Sequence, residues 1–361
     1  MNVVVNIIVF IVVLGALVTL HELGHFILAK RAGIRVEEFG IGFPPRLISF
    51  RRGETEYSLN AIPLGGFVRM LGEEDPTAPR SFASAPRLWR IAILAAGAMT
   101  NLFVGFLLFS GAYVAGWPTV TKGEVVINRV LPDTPAAQAG LLPGDIIRSF
   151  GAQPINTTNE LRQAIQGSLG TVTAIAVDRA GGVVNVEVTP RATWPSDQGP
   201  VGIGIENHPL VTEPVYYGVP GALARGAAKT VETIALTFEL PILVAQQVIS
   251  VDVARPVGPV GIYQITSQAA SETISTGWLF PILSVAATIS LGLGIANVLP
   301  IPGLDGGRLL FVVIEALRGR RINPQRESMI HFAGLAFLVS AVLVVTYFDV
   351  LNPASIDFHF H

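Results

Sequence analysis

The stretch LGALVTLHELGHFILAK, residues 14–30, places two histidines and a glutamate inside an apolar run that is typical of a membrane-spanning helix. Ionisable groups are costly there, by roughly 2.5–3.5 kcal/mol each on insertion scales. On a helix, His21 and His25 occupy positions i and i+4 of one face, so both imidazoles can reach a single metal ion. The H-E-x-x-H pattern therefore predicts a zinc site in which Glu22 acts on water as general base.

The composition points to a membrane protein whose principal surroundings are the lipid bilayer. Half of the 361 residues are hydrophobic and only 14% are charged, whereas soluble domains carry about 25% charged residues. The net charge of −2 excludes nucleic acid as a partner, because the basic surface that binds phosphates is missing. The chain has no cysteine, which excludes thiolate metal ligands and a cysteine nucleophile.

Four apolar stretches predict four transmembrane helices, at about 3–31, 91–116, 280–302 and 328–348. The uncharged stretch around the second span, from Ile91 to Pro118, would be about 42 Å long as a helix, enough to cross a hydrocarbon core of roughly 30 Å. The first stretch could instead be a cleaved signal peptide. The sequence favours a span, because no basic segment precedes the apolar run and the run continues through the histidines.

The distribution of Lys and Arg predicts the orientation of these spans. Residues 30–90 hold ten of the 24 basic residues, and residues 308–326 hold five more. The long region 117–280 has nine basic and thirteen acidic residues. Both short connections are therefore expected in the cytoplasm, and the middle region on the opposite side of the membrane.

Residues 36–70 alternate apolar and polar residues between turn sequences, which predicts short β-hairpins. Gly65 and Gly66 permit a close approach of another backbone, which makes them candidate substrate-binding residues. The region is either a plain cytoplasmic loop or a β-ribbon against the membrane. In the second case its edge can pair with an extended peptide.

Residues 117–210 carry strand-like runs and one helical run that opens at Thr158, a predicted N-cap. Within them, VLPDTPAAQAGLLPGDIIRSFGAQPI, residues 130–155, resembles the PDZ family. That resemblance implies a domain that binds an extended chain or a C-terminus by strand addition. The alternative is a PDZ fold that serves only as a spacer or size filter. Residues 211–279 predict an amphipathic connection along the outer membrane surface or against the spans.

A third zinc ligand is expected to be another charge in an apolar stretch, because catalytic zinc usually has three protein ligands and one open position. In GIANVLPIPGLDGGRLLFVV, residues 294–313, Asp305 follows more than thirty uncharged residues. Pro300 and Pro302 break the preceding helix, and irregular backbone at membrane depth is tolerated where it lines an enclosed cavity. The alternative is that Asp305 merely lies in the loop that ends the third span.

Together these segments resemble the site-2 protease family, and within it the bacterial regulator-of-sigma-E-type branch with one PDZ domain. HELGH matches the metal-binding helix of that family, and NVLPIPGLDGG, residues 297–307, matches its N-x-x-P-x-P-x-L-D-G element. FGIGFPP and PLGGFVRM resemble its membrane-associated β-region, and RPVGPVGI, residues 255–262, resembles a segment before its third span. AAGAMTNLFVGFLL, residues 95–108, resembles its second span, with Ala98 where the family usually has proline.

The resemblance implies that the two motif histidines and Asp305 bind Zn2+ and that Glu22 activates water. It also implies that Asn297 and Asn101 hydrogen-bond a substrate whose transmembrane helix has unwound. Unwinding is needed because a helix hides every peptide carbonyl in its own hydrogen bonds. The substrates implied are transmembrane proteins or peptides, such as membrane-anchored anti-sigma factors and remnant signal peptides.

The predicted fold is a mainly α-helical membrane protein with four transmembrane helices, a membrane-associated β-hairpin region and an inserted extracytoplasmic PDZ domain. Residues 1–116 and 280–361 would form the two halves of a catalytic membrane domain, 117–210 the PDZ domain and 211–279 the extracytoplasmic connection. The expected location is the bacterial inner membrane, with the active site near the cytoplasmic side.

Two other functions fit parts of the same sequence. A non-proteolytic metal-binding or transport protein would need the metal ligands and would not need Glu22. A membrane scaffold that works through its PDZ domain would bind no zinc.

Overall fold

The computed structural model describes residues 3–73, 77–195, 198–246, 249, 254–320 and 322–354. The chain divides into two compact units. The first takes Met1–Gly116 and Tyr216–Phe358, and the second takes Trp117–Val215.

Among the described residues, two strands follow the first helix, six strands and two short helices follow the second, and five further helices come after them. The described helices are α1 (Val3–Arg31), α2 (Arg87–Val114), α3 (Pro135–Gln138), α4 (Thr158–Gln166), α5 (Val219–Ala245), α6 (Pro259–Thr276), α7 (Phe280–Val298), α8 (Asp305–Arg318) and α9 (Pro324–Leu351). The described strands are β1 (Val36–Arg52), β2 (Thr55–Met70), β3 (Trp117–Val130), β4 (Ile146–Phe150), β5 (Gln153–Pro154), β6 (Thr173–Arg179), β7 (Gly182–Val188) and β8 (Ile203–Val215).

Four of the described helices are long and apolar enough to cross a membrane, which confirms the predicted mainly helical membrane architecture. They cover Val3–Arg31, Arg87–Val114, Phe280–Val298 and Gln325–Leu351. The third ends four residues before its predicted end. Leu299 has extended backbone with a ψ of 139°, because the proline that follows disfavours the helical conformation of the residue before it.

Glycines allow the helices of the first unit to pack closely. A Cβ atom at Gly24 of α1 would lie 2.7 Å from the carbonyl oxygen of Ala96 in α2. A Cβ at Gly105 of α2 would lie 2.5 Å from the side chain of Leu291 in α7. Within a membrane the hydrophobic effect does not drive helices together, and small residues allow the close van der Waals packing that holds them. As a result α2 lies between α1 and α7 and contacts both.

The end of the last helix is anchored to the start of α6. Asp349 of α9 is fully buried. Its Oδ2 atom accepts hydrogen bonds from the backbone N–H of Gly258 at 3.0 Å and of Gly261 at 2.8 Å. The guanidinium of Arg255 donates to the carbonyl oxygen of Phe348 at 3.0 Å. The glycines and the arginine of the RPVGPVGI segment thus bind the end of α9.

Strands β1 and β2 form an antiparallel hairpin with several register shifts. Residues 36–41 pair with 66–70 on one side and with 56–59 on the other. The remaining part of β1, residues 46–52, pairs with residues 55–60. Residues 66–70, which begin at Gly66 and follow Gly65, are therefore an outer segment of the hairpin.

The second unit is a six-stranded antiparallel sheet in the order β7-β6-β4-β3-β8, with β5 paired to β4. Its core packs apolar side chains of the sheet, such as Val125 and Ile147, against Leu161 of α4. The N-cap of α4 is Thr157 and not the predicted Thr158. The reason is a capping box, in which the side chain of Glu160 reaches back to the backbone N–H of Thr157.

Candidate metal centre and active site

The two motif histidines lie on the face of α1 that packs against α2. His21 is 7% exposed and His25 is 6% exposed. The helical period puts these residues on one side of α1, and Gly24 between them brings that side against α2. Local helix geometry and one close helix contact are therefore enough to bury both imidazoles.

Asp305 is the first residue of α8 and follows an irregular segment, residues 299–304. The segment folds back on the start of α8 because two glycines follow Asp305. A Cβ atom at Gly306 would lie 2.5 Å from the carbonyl oxygen of Val298, and one at Gly307 would lie 2.8 Å from the carbonyl carbon of Ile301. The two glycines of the LDGG sequence thus allow residues 298–301 to pack directly against the first turn of α8.

These two regions bring three ligand atoms together. The Oδ2 atom of Asp305 lies 3.0 Å from Nε2 of His21 and 3.2 Å from Nε2 of His25, and the two Nε2 atoms are 3.2 Å apart. Tetrahedral zinc with bonds of about 2.0–2.1 Å holds its ligand atoms roughly 3.3 Å apart. The described residues thus contain a set of two imidazoles and one carboxylate whose chemistry and spacing fit one zinc ion.

Gly97 of α2 provides the space for the ligand nitrogens. A Cβ atom there would lie 2.5 Å from Nε2 of His21 and would also overlap Nε2 of His25. Both nitrogens therefore point towards a position where α2 has no side chain. This is a second feature that fits a metal ion at the three ligand atoms.

Hydrogen bonds on the outer side of each imidazole set its protonation. Nδ1 of His25 lies 2.7 Å from the carbonyl oxygen of Ile93. A carbonyl oxygen only accepts, so Nδ1 of His25 carries the hydrogen, and Nε2 presents its lone pair to the ligand cluster. Metal-binding histidines usually have such a partner, which fixes the ring and raises its basicity.

Asn101 has the corresponding position next to His21. It is 1% exposed, and its side-chain amide lies 3.3 Å from Nδ1 of His21. With the amide nitrogen towards the ring, the buried Oδ1 atom has no hydrogen-bond partner among the described residues. With the oxygen towards the ring, the amide accepts from Nδ1 and leaves Nε2 free to bind metal. The observed contact of Asn101 is thus with a histidine, while the substrate contact stays a prediction.

Glu22 lies beside the cluster and against the hairpin. It is half-buried, and it interacts with the backbone of Val68 in β2. A Cβ atom at Gly66 would lie 3.3 Å from Cγ of Glu22. β2 therefore packs closely against the Glu22 side chain at this glycine.

A cavity of about 290 Å³ connects most of the predicted site residues. Apolar side chains and Gly303 form part of its wall, and the predicted residues that line it are His21, Glu22, Gly65, Gly66, Asn101, Asn297 and Asp305. Asn297 is half-buried, and its side-chain Nδ2 donates to the carbonyl oxygen of Leu293 at 3.0 Å. The structure thus brings these residues to one enclosure, and the substrate role of Asn297, Gly65 and Gly66 stays a prediction.

Sequence reasoning missed three groups of the site. Gly97 could have been found, since the run AAGA, residues 95–98, places small residues in an apolar helix, and such runs favour close helix contacts. The carbonyl of Ile93 and the backbone of Val68 carry no signal in the sequence, because both contacts are made by main-chain atoms.

The chain is similar to known zinc proteases along almost its whole length. The model of peptidase family M50 matches residues 9–341. The regulator of sigma-W protease RasP of Bacillus subtilis is 32% identical, over 96% of this chain and 98% of that protein. Zinc metalloprotease RasP of Bacillus licheniformis is 31% identical, over 96% of this chain and 98% of that protein. Zinc metalloprotease RasP of Geobacillus kaustophilus is 32% identical, over 96% and 97%.

These matches confirm three predictions from the sequence: the site-2 protease family, the zinc cofactor and the protease activity. The chain belongs to peptidase family M50, the family of site-2 proteases, and it is an intramembrane zinc metalloprotease.

Proposed function

We propose that His21, His25 and Asp305 hold the zinc ion of this protease and that Glu22 is its general base. The observation that carries this assignment is the spacing of the three ligand atoms, 3.0–3.2 Å from one another. Glu22 supports it, since it lines the same cavity as His21 and Asp305.

The protein groups divide the work of peptide hydrolysis. When zinc is bound, it supplies a Lewis acid for the scissile carbonyl and makes water a nucleophile near neutral pH. Glu22 takes a proton from the attacking water and returns it to the leaving amine nitrogen. The packing of β2 against the Glu22 side chain at Gly66 positions the carboxylate for both transfers.

The substrate is a transmembrane segment that enters the cavity in an unwound form. An unwound segment exposes backbone groups that must find partners within the membrane. The amide of Asn297 offers one such partner. The outer hairpin segment 66–70, which begins at Gly66 and follows Gly65, offers a strand edge to which an extended chain can add.

The hairpin itself lies against the membrane. Three of its apolar side chains, Leu47, Ile48 and Phe50, are 64–67% exposed. Such a patch is unfavourable in water and is typical of a surface that meets lipid or protein.

Residues 117–210 form a PDZ domain on the extracytoplasmic side of the bacterial inner membrane, with residues 211–279 as an extracytoplasmic connection. The remaining parts, 1–116 and 280–361, form the catalytic membrane domain, with the active site near the cytoplasmic side. The name of the Bacillus subtilis relative, regulator of sigma-W protease, favours membrane-anchored anti-sigma factors as substrates, and remnant signal peptides are a second substrate class.

The test is Glu22→Gln in the full chain, assayed with a membrane-anchored substrate. We expect cleavage to fall by about 10²- to 10⁴-fold, the usual contribution of a general base, while zinc content stays at the wild-type level. Glu232→Gln is the matched control, because Glu232 has a side chain that is 64% exposed, and this variant should cleave like wild type. Membrane peptides that accumulate in cells carrying Glu22→Gln would identify the substrates.

Three results would contradict the assignment. Undiminished cleavage by Glu22→Gln would remove Glu22 as the base. Wild-type zinc binding by Asp305→Asn would remove Asp305 from the ligands. A purified protein that takes up no zinc would favour a PDZ scaffold.

A further inference from the structure

The last helix, α9, touches the segment that carries Asp305. The backbone N–H of Gly303 donates a hydrogen bond to Nδ1 of His331 at 3.0 Å. Three residues on, Gly334 lies so close to Pro302 that an added Cβ would overlap its carbonyl oxygen. His331 and Gly334 are at positions i and i+3, so they share one face of α9. This face contacts both residues of the Pro302–Gly303 pair.

The contacted backbone has a conformation that needs outside support. Gly303 has a φ of +100°, a region that residues with a side chain rarely adopt. A Cβ at Gly303 would lie 3.0 Å from the backbone nitrogen of Leu335 in α9. Asp305 follows two residues later, and its Oδ2 is 3.0 Å from Nε2 of His21. A shift of Gly303 would therefore move the carboxylate away from the histidines.

The bond between His331 and Gly303 has a defined direction. A backbone N–H can only donate, so Nδ1 of His331 must accept, and the ring is in the tautomer with its hydrogen on Nε2. The substitution His331→Asn keeps an acceptor, since the Oδ1 atom of an asparagine occupies nearly the position of Nδ1. The substitution His331→Leu keeps a similar size without any acceptor. The role of the hydrogen bond can thus be separated from the role of the side-chain volume.

We propose that His331 is a positioning residue of the metal centre: by holding the N–H of Gly303, it places the carboxylate of Asp305 opposite the two histidines. α9 then sets the affinity for zinc although it contributes no ligand. This inference rests on the proposed ligand set of His21, His25 and Asp305.

The experiment compares His331→Asn with His331→Leu in the full-length protein, by competition for zinc with a chelator. Outer partners of metal ligands usually contribute 10- to 100-fold to affinity, so we expect the dissociation constant of His331→Leu to rise by about 10-fold or more. His331→Asn should stay within about threefold of wild type, because its acceptor is retained. Gly334→Ala should resemble His331→Leu, since its Cβ pushes against Pro302. Phe337→Ala is the control on α9, where Phe337 is 67% exposed, and should bind zinc like wild type.

The absorption of the cobalt-loaded protein separates positioning from general stability. A displaced carboxylate changes the ligand field, so the spectrum of His331→Leu should differ from wild type while that of His331→Asn should not. Unchanged affinity and an unchanged spectrum in His331→Leu would overturn the inference. So would equal losses in His331→Asn and His331→Leu. Asp305→Asn distinguishes this failure from a failure of the ligand assignment, since only in the latter case does Asp305→Asn also bind zinc like wild type.

Discussion

The two halves of the metal centre are supported in different ways. His21 and His25 stand on a continuous helix, α1, whose ligand-bearing face is packed against α2. Asp305 stands at the end of an irregular segment, residues 299–304, which is held by contacts with the start of α8 and with α9.

The difference lies in what fixes the ligand spacing. A helix satisfies its own backbone hydrogen bonds, so the distance between positions i and i+4 is determined within one turn. An irregular segment has no repeating backbone hydrogen bonds, so its position depends on its packing contacts with other elements. A larger side chain beside His21 and His25, the histidine half, should therefore strongly weaken zinc binding. A larger side chain beside Asp305, the aspartate half, should shift the segment at a smaller cost in zinc affinity.

Gly97→Ala should produce the largest effect. The added Cβ would collide with the Nε2 atoms of both histidines, and two packed helices leave these atoms no room to retreat. We expect the dissociation constant for zinc to rise by more than about 100-fold, the upper end for residues outside the ligand set. Gly111→Ala on the same helix is the control, because its Cβ would meet only Leu283 at 3.7 Å. Chelator competition measures both, and equal affinities would contradict this account of the histidine half.

Gly306→Ala tests the aspartate half. Its Cβ would collide with the carbonyl oxygens of Val298 and Leu299, but the segment before Asp305 can move. We expect a loss of zinc affinity of about 10- to 100-fold. Gly292→Ala, where no atom lies within 4 Å of the added Cβ, should bind zinc like wild type. A larger loss of zinc affinity in Gly306→Ala than in Gly97→Ala would mean that Asp305, and not the histidine pair, is the more rigidly held part of the site.

The same difference explains what could be predicted from the sequence. The pairing of His21 with His25 follows from the helical period, and the four spans follow from the apolar runs. Asp305 could be singled out as a misplaced charge, but its 3.0 Å distance to Nε2 of His21 depends on contacts between residues nearly 300 positions apart. The role of His331 could not be predicted, because a single histidine in a helix does not indicate which backbone group it binds.

Other details could not be predicted because they depend on neighbouring backbone. Thr157 and Thr158 are residues of the same type and equally suitable as N-caps. Thr157 is the N-cap because Glu160, three residues later, completes a capping box with it. The hairpin was expected from alternation, but its register shifts bring residues 36–41 between two other segments. The alternation of apolar and polar residues indicates which residues share a face of a strand, but it does not indicate which residue of the neighbouring strand each one pairs with.

Asn101→Leu should weaken the histidine half less than Gly97→Ala does. The leucine removes the amide next to Nδ1 of His21. With its oxygen towards the ring, that amide accepts from Nδ1 and holds the tautomer that presents Nε2. We expect zinc affinity to fall by about 10-fold. Asn101→Asp keeps an oxygen acceptor and should remain nearer to wild type. If Asn101→Leu binds zinc normally and fails only in cleavage, Asn101 contacts the substrate, as the resemblance to site-2 proteases implies.

Glu54→Gln should have the smallest effect, because Glu54 supports the end of α1 and contacts none of the ligands. Its carboxylate binds Lys30 at 2.8 Å and Arg80 at 2.8 and 2.9 Å. Arg80, followed by Lys30, lowers the pKa of Glu54 from 4.5 to about 2.

A carboxyl group whose pKa is lower in the folded than in the unfolded protein stabilises the fold. This stability is fully present at a pH above the unfolded pKa and is lost as the pH falls through the folded pKa. Thermal unfolding of the zinc-free protein should therefore differ between wild type and Glu54→Gln by a constant amount from pH 7 to pH 5. The difference should shrink as the pH falls from about 4.5 towards 2. Zinc affinity at pH 7 should not change, since α1 and its contact with α2 fix both histidines. A loss of about 10-fold, as large as that expected for an outer partner of a ligand, would mean that the hairpin and not the helix sets the histidine half.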